Sequence, residues 1–226
     1  MSHRITVVAT PGVLPADGPC SVGDLDLPEG AQQAEGRVWV TTEAVPSTGE
    51  VWVGLAQAFS VTGLWPVVLT EPGVAFELDV DDPTNHDALA LLKADAPATL
   101  DVADPTVAYD LVPALPGEGR IALVPVIEPA DVVARTGWTG ASTGTLSTGE
   151  VSAVLRSWQR RYGAVPLALG ADTLFLLRGA VPEAGAGLEA LASEHEAFCP
   201  QNFEGISREA YLRHLETSPV WAFRWA

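Results

Sequence analysis

The residues best suited to chemistry in this chain are a histidine and a cysteine four positions apart, within residues 194–202 (EHEAFCPQN). In a helix that begins near Pro182, His195 and Cys199 lie on one face. An imidazolium beside a thiol lowers the thiol pKa and produces a nucleophilic thiolate, and the same pair can supply two zinc ligands. The alternative is structural, because free cysteine is among the most buried residue types and the rest of this face is apolar.

Two other polar side chains are candidates to complete such a site. Asn202 follows Cys199 by three residues, and Asp172 lies in a short turn between two predicted strands. Either can orient an imidazole or bind a substrate if the fold brings it close. The sequence therefore predicts His195, Cys199, Asp172 and Asn202 as candidate catalytic residues, without assigning their chemistry.

Patterns typical of cofactor and metal sites are missing from the sequence. It contains no P-loop, no dinucleotide-binding glycine pattern, no HExxH and no CxxC pair. Residues 79–87 resemble a calcium loop, but Thr84 and Ala90 stand where an EF-hand requires glycine and glutamate. Asp82 and Pro83 favour a helix start there instead. We expect no cofactor and no bound metal.

A serine hydrolase is disfavoured by the context of a short motif. Residues 140–144 (GASTG) match the GxSxG pattern. A nucleophile elbow connects a strand directly to a helix, whereas residues 135–139 make a poor strand and the next predicted helix begins several residues too late.

Charge is distributed unevenly along the chain. The net charge is −17; residues 1–118 contain 18 acidic and 3 basic residues, and residues 119–226 contain 11 and 9. Such a surface repels nucleic-acid phosphates and anionic lipid headgroups, so we expect no nucleic acid and no membrane as partners. A basic protein partner fits the acidic half. Alternatively, the acids only keep an apolar-rich chain in solution.

The cellular location follows from what the sequence lacks. No apolar run reaches the roughly 18 residues that a membrane span needs, and the first fourteen residues lack the features of a signal peptide. Cys20 and Cys199 are far apart in sequence and fit reduced thiols. We expect a cytoplasmic protein that is a monomer or a homodimer.

One helix, which begins near Thr148, has a clear signature. Ser147 and Glu150 have the spacing of a capping box, and apolar side chains at 151, 154, 155, 158 and 162 follow one face. Arg156 and Arg160 lie on the opposite side, with Arg161 on its flank. This basic ridge can bind a phosphate or an acidic neighbour; otherwise it is a solvated face, or it pairs with the chain's own acidic half.

The order of predicted elements indicates an α+β fold, in which helices cover a mixed, mostly antiparallel sheet, as one unit or as two subdomains. Residues 11–32 are rich in Gly, Pro and Asp and are predicted to form a loop, and residues 95–120 a connection. We predict an acidic, strand-rich part with one or two helices at 1–118 and an α+β domain at 119–226. Predicted strands are 5–8, 38–41, 64–70, 121–127, 165–170, 173–178 and 220–225; the other predicted helices are 52–61, 182–199 and 207–217.

Four segments of the chain resemble motifs of a bacterial domain-of-unknown-function family, number 4253, that is common in actinomycetes. They are TGLWPVVL at 62–69, LGADTL at 169–174, EHEAFCPQN at 194–202 and WAFRW at 221–225. The resemblance covers roughly residues 119–226, with the TGLWP segment upstream. Gln201 replaces an aspartate expected in this family, and the ending from Arg224 replaces a Trp-Trp-acid ending. A role that depends on that aspartate in relatives is therefore in doubt here.

The resemblance implies an α+β fold and transfers no activity. It singles out Trp65, inside the TGLWP segment, as a possible binding residue beside Arg156, Arg160 and Arg161. Two functions remain. The first is a non-enzymatic interaction module, immunity-like or regulatory, whose acidic half docks a basic protein. The alternative is a small enzyme or ligand-binding protein that uses His195 and Cys199.

Overall fold

A computed structural model describes residues 2–77, 81–94, 106–110, 117–141, 146–180 and 184–225. Within these ranges the chain forms eleven strands and six α-helices. The strands are β1 (Ser2–Thr6), β2 (Gly18–Val22), β3 (Leu25–Gln33), β4 (Val38–Thr41), β5 (Val45–Pro46), β6 (Leu64–Leu69), β7 (Thr106–Asp110), β8 (Glu118–Pro125), β9 (Val165–Leu169), β10 (Thr173–Leu177) and β11 (Val220–Arg224). The helices are α1 (Thr48–Thr62), α2 (Ala88–Leu92), α3 (Val132–Thr136), α4 (Thr148–Tyr162), α5 (Ala186–Phe198) and α6 (Arg208–Thr217).

Nine of the described strands form one sheet. Its order is β11-β10-β9-β6-β8-β4-β3-β2, and β5 pairs with β8 beside this path. Among the described pairings of this sheet, β6 and β9 run parallel and the others run antiparallel. β1 and β7 form a separate antiparallel pair. The predicted α+β fold with a mixed, mostly antiparallel sheet is confirmed.

The centre of the sheet is built from continuous apolar runs. All six residues of β6 are buried, as expected for a strand covered on both faces. α1 packs against β6, where the rings of Trp52 and Phe59 meet Trp65 edge-on at centroid distances of 5.7 and 5.1 Å. Gly63 ends α1 at φ 64°, and a Cβ there would lie 2.0 Å from the carbonyl oxygen of Thr10. The TGLWP segment thus connects a helix end to a buried strand.

α4 covers the other end of the sheet. The predicted capping box is confirmed: the Ser147 hydroxyl accepts from the Glu150 amide, and the Glu150 carboxylate accepts from the Ser147 amide. The Trp158 ring stacks on Phe223 of β11 at 5.3 Å and 15°. Trp221, Phe223 and Trp225 alternate along the last strand and are buried, so the face that they share lies in the core.

Two of the predicted connections are wrong. Residues 11–32 contain β2 and part of β3, whose antiparallel hairpin extends the sheet beyond β4. Leu25 and Leu27 alternate there with exposed residues, a short pattern that is easily missed among glycines and prolines. Residues 95–120 contain β7 and the first residues of β8, although 95–105 and 111–116 lie outside the described residues.

Both halves of the chain contribute to the same sheet. β6, from the first half, lies between β8 and β9 of the second half, and β4 pairs with the opposite side of β8. Residue 118 is therefore where a shared strand begins. In the part of the chain that the structure describes, no helix is long and apolar enough to cross a bilayer.

Candidate functional site

The His195 side chain is enclosed by aromatic rings near the carboxyl end of α5. Its ring centroid is 4.7 Å from those of Trp158 and Trp221 and 4.8 Å from that of Phe223. Nδ1 lies 3.0 Å from the Tyr211 hydroxyl, and Nε2 has no hydrogen-bond partner among the described residues. Complete burial lowers the pKa of His195 well below its usual value. The imidazole is therefore neutral at physiological pH and supplies no positive charge to a thiol.

Cys199 lies one residue beyond α5 and has different neighbours. Its backbone leaves the helix at φ −144°, and its Sγ lies 3.2 Å from the Arg224 carbonyl oxygen and 3.4 Å from the Asn202 Oδ1. The side chain is buried, and burial raises the pKa of the thiol to about 11. A protonated thiol that donates to these oxygens fits this environment, whereas a reactive thiolate needs the opposite pKa shift.

Asn202 connects this segment to the edge strand of the sheet. Its Nδ2 donates to the Ala222 carbonyl at 2.6 Å, and its Oδ1 accepts from the Arg224 amide at 3.1 Å. Burial raises the pKa of the nearby Tyr211 hydroxyl, which contacts His195, and the Asn202 side chain lowers that pKa less strongly. The fold thus brings His195, Tyr211, Asn202 and Cys199 into one cluster, which we call the His195 network.

Asp172 lies in the β9–β10 turn, beside the carboxyl end of β11. Its carboxylate accepts from the Thr173 hydroxyl at 2.8 Å and lies 3.4 Å from Arg224 Nε, and its carbonyl accepts from the Trp225 amide. The hydrogen bond from Thr173 and the nearby guanidinium lower the pKa of Asp172. Neither His195 nor Cys199 forms a hydrogen bond with Asp172 in the described structure. The Asp172 carboxylate instead stabilises the β9–β10 turn through its bond to Thr173.

Three of the four segments that resemble the family, at 169–174, 194–202 and 221–225, lie at or beside β11 in the second half of the chain. Residues 120–226 match the family model DUF4253, a domain of unknown function. This match confirms the resemblance inferred from the motifs. No curated protein and no solved structure matches the chain significantly. The DUF4253 region begins within β8, so β6 and α1 lie outside it although they are part of the same core.

Within the DUF4253 region, sequence reasoning missed a buried acid. The Glu194 carboxylate accepts from Trp158 Nε1 at 2.8 Å and from Arg161 Nη1 at 2.7 Å and Nη2 at 2.5 Å. Two side chains of α4 thus donate three hydrogen bonds to one carboxylate of α5, and the Arg161 guanidinium also balances its charge. A glutamate on a helix face otherwise formed by apolar side chains was the available signal, because a buried acid requires a paired base.

The predicted basic ridge of α4 is interrupted by bonds within the protein. Arg156 binds Asp131 in a bidentate pair, Nε to Oδ1 at 2.6 Å and Nη2 to Oδ2 at 3.0 Å. Arg161 is bound to Glu194, and Gln159 is buried with its Oε1 accepting from a backbone amide. Arg160 is exposed and has no side-chain partner among the described residues. The acids that bind Arg156 and Arg161 are Asp131 and Glu194, which belong to the second half. The ridge therefore does not pair with the acidic half through these two arginines.

Trp65 is a core side chain. It is fully buried, and its indole N–H donates to the Pro166 carbonyl of β9 at 2.9 Å. This bond and its edge-on contacts with Trp52 and Phe59 leave no indole surface for an external ligand.

Metal binding and hydrolase chemistry receive no geometric support in the described ranges. No group of three or more His, Cys, Asp or Glu side chains there is arranged to hold a metal ion. Asp82 caps the 3-10 turn Pro83–Asn85, and Asp87 caps α2, as expected of helix starts. Ser142 of the GxSxG match lies outside the described residues.

Among the described acids of the first half, Asp81 alone is in an ion pair, and its partner is His86 of the same half. Among the described residues, the ion pairs of the protein involve acids at 81, 131, 172, 189, 194, 196 and 209. Five exposed carboxylates lie on or beside the β2–β3 edge of the sheet, and we call them the acidic edge: Asp17, Asp24, Asp26, Glu29 and Glu43. None of these five is in an ion pair with a described residue.

Proposed function

We propose that this protein is a non-enzymatic interaction module that docks a basic protein through its acidic edge. The observation that carries the proposal is the charge arrangement of the described structure. Among the described residues, five arginines of the second half pair with acids of the same half, and the acidic edge is left exposed without an ion pair. A basic partner gains favourable electrostatic energy from these carboxylates and is attracted over a distance near the Debye length, about 10 Å.

Arg37, in the β3–β4 turn, is in no ion pair with the acidic edge. Arg37 donates through Nε to the Ala34 carbonyl at 2.9 Å and through Nη2 to the Glu77 carbonyl at 2.7 Å. Its guanidinium is therefore held by backbone oxygens of the β3–β4 turn and of residue 77. Within the acidic edge, Asp26 accepts from Ser21 and Asp17 accepts from the Gln32 amide, which orients both carboxylates without removing their charge.

The edge strand itself favours side-chain docking over strand addition. β2 contains Pro19, and its register with β3 shifts between Gly18 and Cys20. Proline and a bulge are devices that discourage pairing with a further strand. We infer that the partner approaches the carboxylates with lysine or arginine side chains and does not extend the sheet.

The state of the His195 network supports a module without catalysis. The imidazole is neutral, the thiol pKa is raised to about 11, and Asn202 is bound to β11 backbone. A raised thiol pKa disfavours a thiolate nucleophile, and a neutral imidazole supplies no positive charge to stabilise one. The alternative, an enzyme or ligand-binding protein that uses His195 and Cys199, is tested directly by the thiol chemistry described in the Discussion.

Capture experiments with two matched triple variants test the proposal. The first variant neutralises the acidic edge: Asp24→Asn, Glu29→Gln and Glu43→Gln. The control variant neutralises three exposed acids of the second half: Glu204→Gln, Glu209→Gln and Glu216→Gln. Proteins captured from the native host lysate are identified by mass spectrometry, and the complex is reconstituted from purified components.

We expect one defined partner of positive net charge, whose binding weakens as salt is raised from about 50 to 200 mM. The acidic-edge variant should lose binding at least about tenfold relative to the control variant, which corresponds to about 1.4 kcal/mol. A partner that binds both variants equally, or one whose binding ignores salt, would show that the acidic edge is not the docking surface.

A further inference from the structure

A groove on the side of α4 that carries Arg156 and Arg160 contains two adjoining cavities. It runs between α4 and residues 81–89, and the cavities have volumes of about 460 and 400 Å³. Both are lined by Pro83 and Arg156, which lie at their junction. Volumes of this size accommodate small organic molecules. The groove is distinct from the acidic edge and from the His195 network.

The arginines of the groove have unused hydrogen-bond donors. Arg160 lines the second cavity and has no side-chain partner among the described residues. Arg156 precedes it by one helical turn, and Asp131 holds its Nε and Nη2 while no bond to its Nη1 is recorded. The ion pair with Asp131 thus fixes one guanidinium in place, and the next turn of the helix supplies a second on the same face.

The carboxylates of the groove, in contrast, already accept hydrogen bonds. Asp81 accepts from the Ser147 hydroxyl and contacts His86 Nε2, each at 2.6 Å. Asp82 accepts from the amide and hydroxyl of Thr84 at 2.9 and 2.8 Å. Asp87 accepts from the first amides of α2, and Asp131 from Arg156. Unused capacity in this groove is therefore mainly on the donor side, which favours an anionic ligand.

The charge distribution determines where an anion can lie. The first cavity is lined by three acids, Asp81, Asp82 and Asp131, and by two bases, Arg135 and Arg156, so its lining has a net negative charge. The second cavity offers Arg156, Arg160 and the half-buried Ser157 along one face of α4, whereas Asp87 is the acid in its lining. Two guanidinium groups one turn apart, with a hydroxyl beside them, suit an oxyanion with more than two acceptor oxygens better than a planar carboxylate.

The first cavity complements an apolar body. One wall of this cavity is formed by the end of β8 and the residues after it: Pro125, Val126 and Ile127. Pro11 and Ala134 also line the cavity. Ile127 is 54% exposed, which is unusual for an isoleucine beside a well-packed core. Covering such a side chain with a ligand removes apolar surface from water.

We propose that this groove binds a phosphorylated small molecule. The phosphate lies between Arg156 and Arg160 in the second cavity, and an uncharged apolar body lies against Ile127 in the first. A body with additional negative charge is disfavoured there by the lining aspartates. This site adds a small-molecule ligand to a protein whose partner surface is elsewhere.

Calorimetric titration of the full-length protein with three probes tests the site. The probes are phenyl phosphate, inorganic phosphate and benzoate. We expect phenyl phosphate to bind most tightly, because it alone combines a tetrahedral oxyanion with an apolar ring. Arg160→Gln should weaken phenyl phosphate roughly tenfold, the size expected for one charge-assisted hydrogen bond. The matched control Arg213→Gln, an exposed helical arginine on α6, should leave the affinity unchanged.

Ile127→Ser tests the apolar wall separately. It should weaken phenyl phosphate several-fold while leaving inorganic phosphate unchanged, since only the ring contacts Ile127. Arg160 and Ile127 are exposed, so both variants should retain the wild-type unfolding temperature. The proposal is overturned if benzoate binds as tightly as phenyl phosphate, if Arg160→Gln behaves like Arg213→Gln, or if phenyl phosphate binds no better than inorganic phosphate.

Discussion

Burial controls the ionisation of single side chains in residues 194–202. The His195 imidazole is enclosed by aromatic rings and stays neutral, while the Cys199 thiol is kept protonated. Glu194, one residue before the histidine, is also buried, but Arg161 and Trp158 donate to its carboxylate. Of these three buried side chains, Glu194 alone has a charged hydrogen-bond partner among the described residues.

The reactivity of Cys199 is the prediction that belongs to this scale. In a Cys20→Ser variant, a maleimide reagent should not label the native protein between about pH 6 and pH 8, because the thiol is buried and its pKa is raised to about 11. Labelling should appear on unfolding in urea. The measurement is the labelling rate by mass spectrometry.

A matched pair of variants completes this test. The wild-type background with Cys199→Ser reports Cys20 alone, which is half-buried and should label more readily than Cys199. Rapid labelling of native Cys199 below pH 7 that slows in a His195→Ala variant would contradict the structural interpretation. That result would indicate a Cys199 thiolate activated by His195 and would favour the enzyme hypothesis.

At the scale of elements, the segment after α5 supports an edge strand. β11 is the last strand on its side of the described sheet, and an edge strand leaves backbone groups without partners. Asn202 bonds the backbone at Ala222 and Arg224, and Cys199 Sγ reaches the Arg224 carbonyl. The 3-10 turn Pro200–Phe203 therefore replaces part of a missing neighbour strand.

Replacing Asn202 should loosen this edge. Asn202→Ala removes two bonds to β11 and the contact with Cys199 Sγ, and should lower the free energy of unfolding by about 1–3 kcal/mol. Gln201→Ala is the control, because the recorded contact of its side chain is a 3.9 Å approach to Cys199. Urea denaturation gives the stability, and hydrogen exchange of β11 amides gives the location of the effect. Equal losses in both variants would argue against this role.

Sequence patterns located most elements but only part of the site. Capping at Ser147, the apolar face of α4 and the alternation in β11 are local, so a pattern of period 3.6 or 2 reveals them. The bond between Arg161 and Glu194 joins residues 33 positions apart, and that between Asn202 and Ala222 joins residues 20 apart. No periodicity encodes such pairings, because they depend on how helices and strands come together.

At the scale of the whole molecule, the sheet crosses the boundary between the two halves. β6 supplies the partner for both β8 and β9, and Trp65 donates to the Pro166 carbonyl across a separation of 101 residues. The aromatic contacts of Trp52 and Phe59 with Trp65 add to the same core. Removing the first half would expose both edges of β8 and one edge of β9, together with the apolar face beneath α1.

We therefore expect the isolated fragment 119–226 not to fold by itself. It should lack a cooperative urea transition, and its amide NMR signals should be poorly dispersed. The reason is that β8 and β9 would both lose β6, the strand between them. Co-expression with fragment 1–118 should restore a complex that unfolds cooperatively. The intact chain is the reference in the same buffer. A cooperative transition of 119–226 alone would establish two separate domains and contradict this prediction.

The sequence by itself determined the fold class, the caps, the apolar faces, the charge asymmetry and the resemblance of residues 120–226 to DUF4253, because these depend on composition and short spacing. Tertiary structure alone decided that His195 is neutral, that Cys199 is protonated and that Arg156 and Arg161 have internal partners. The physical reason is that pKa values and ion pairs depend on burial and on groups distant in sequence. Only the folded chain left the acidic edge and Arg160 available to external partners.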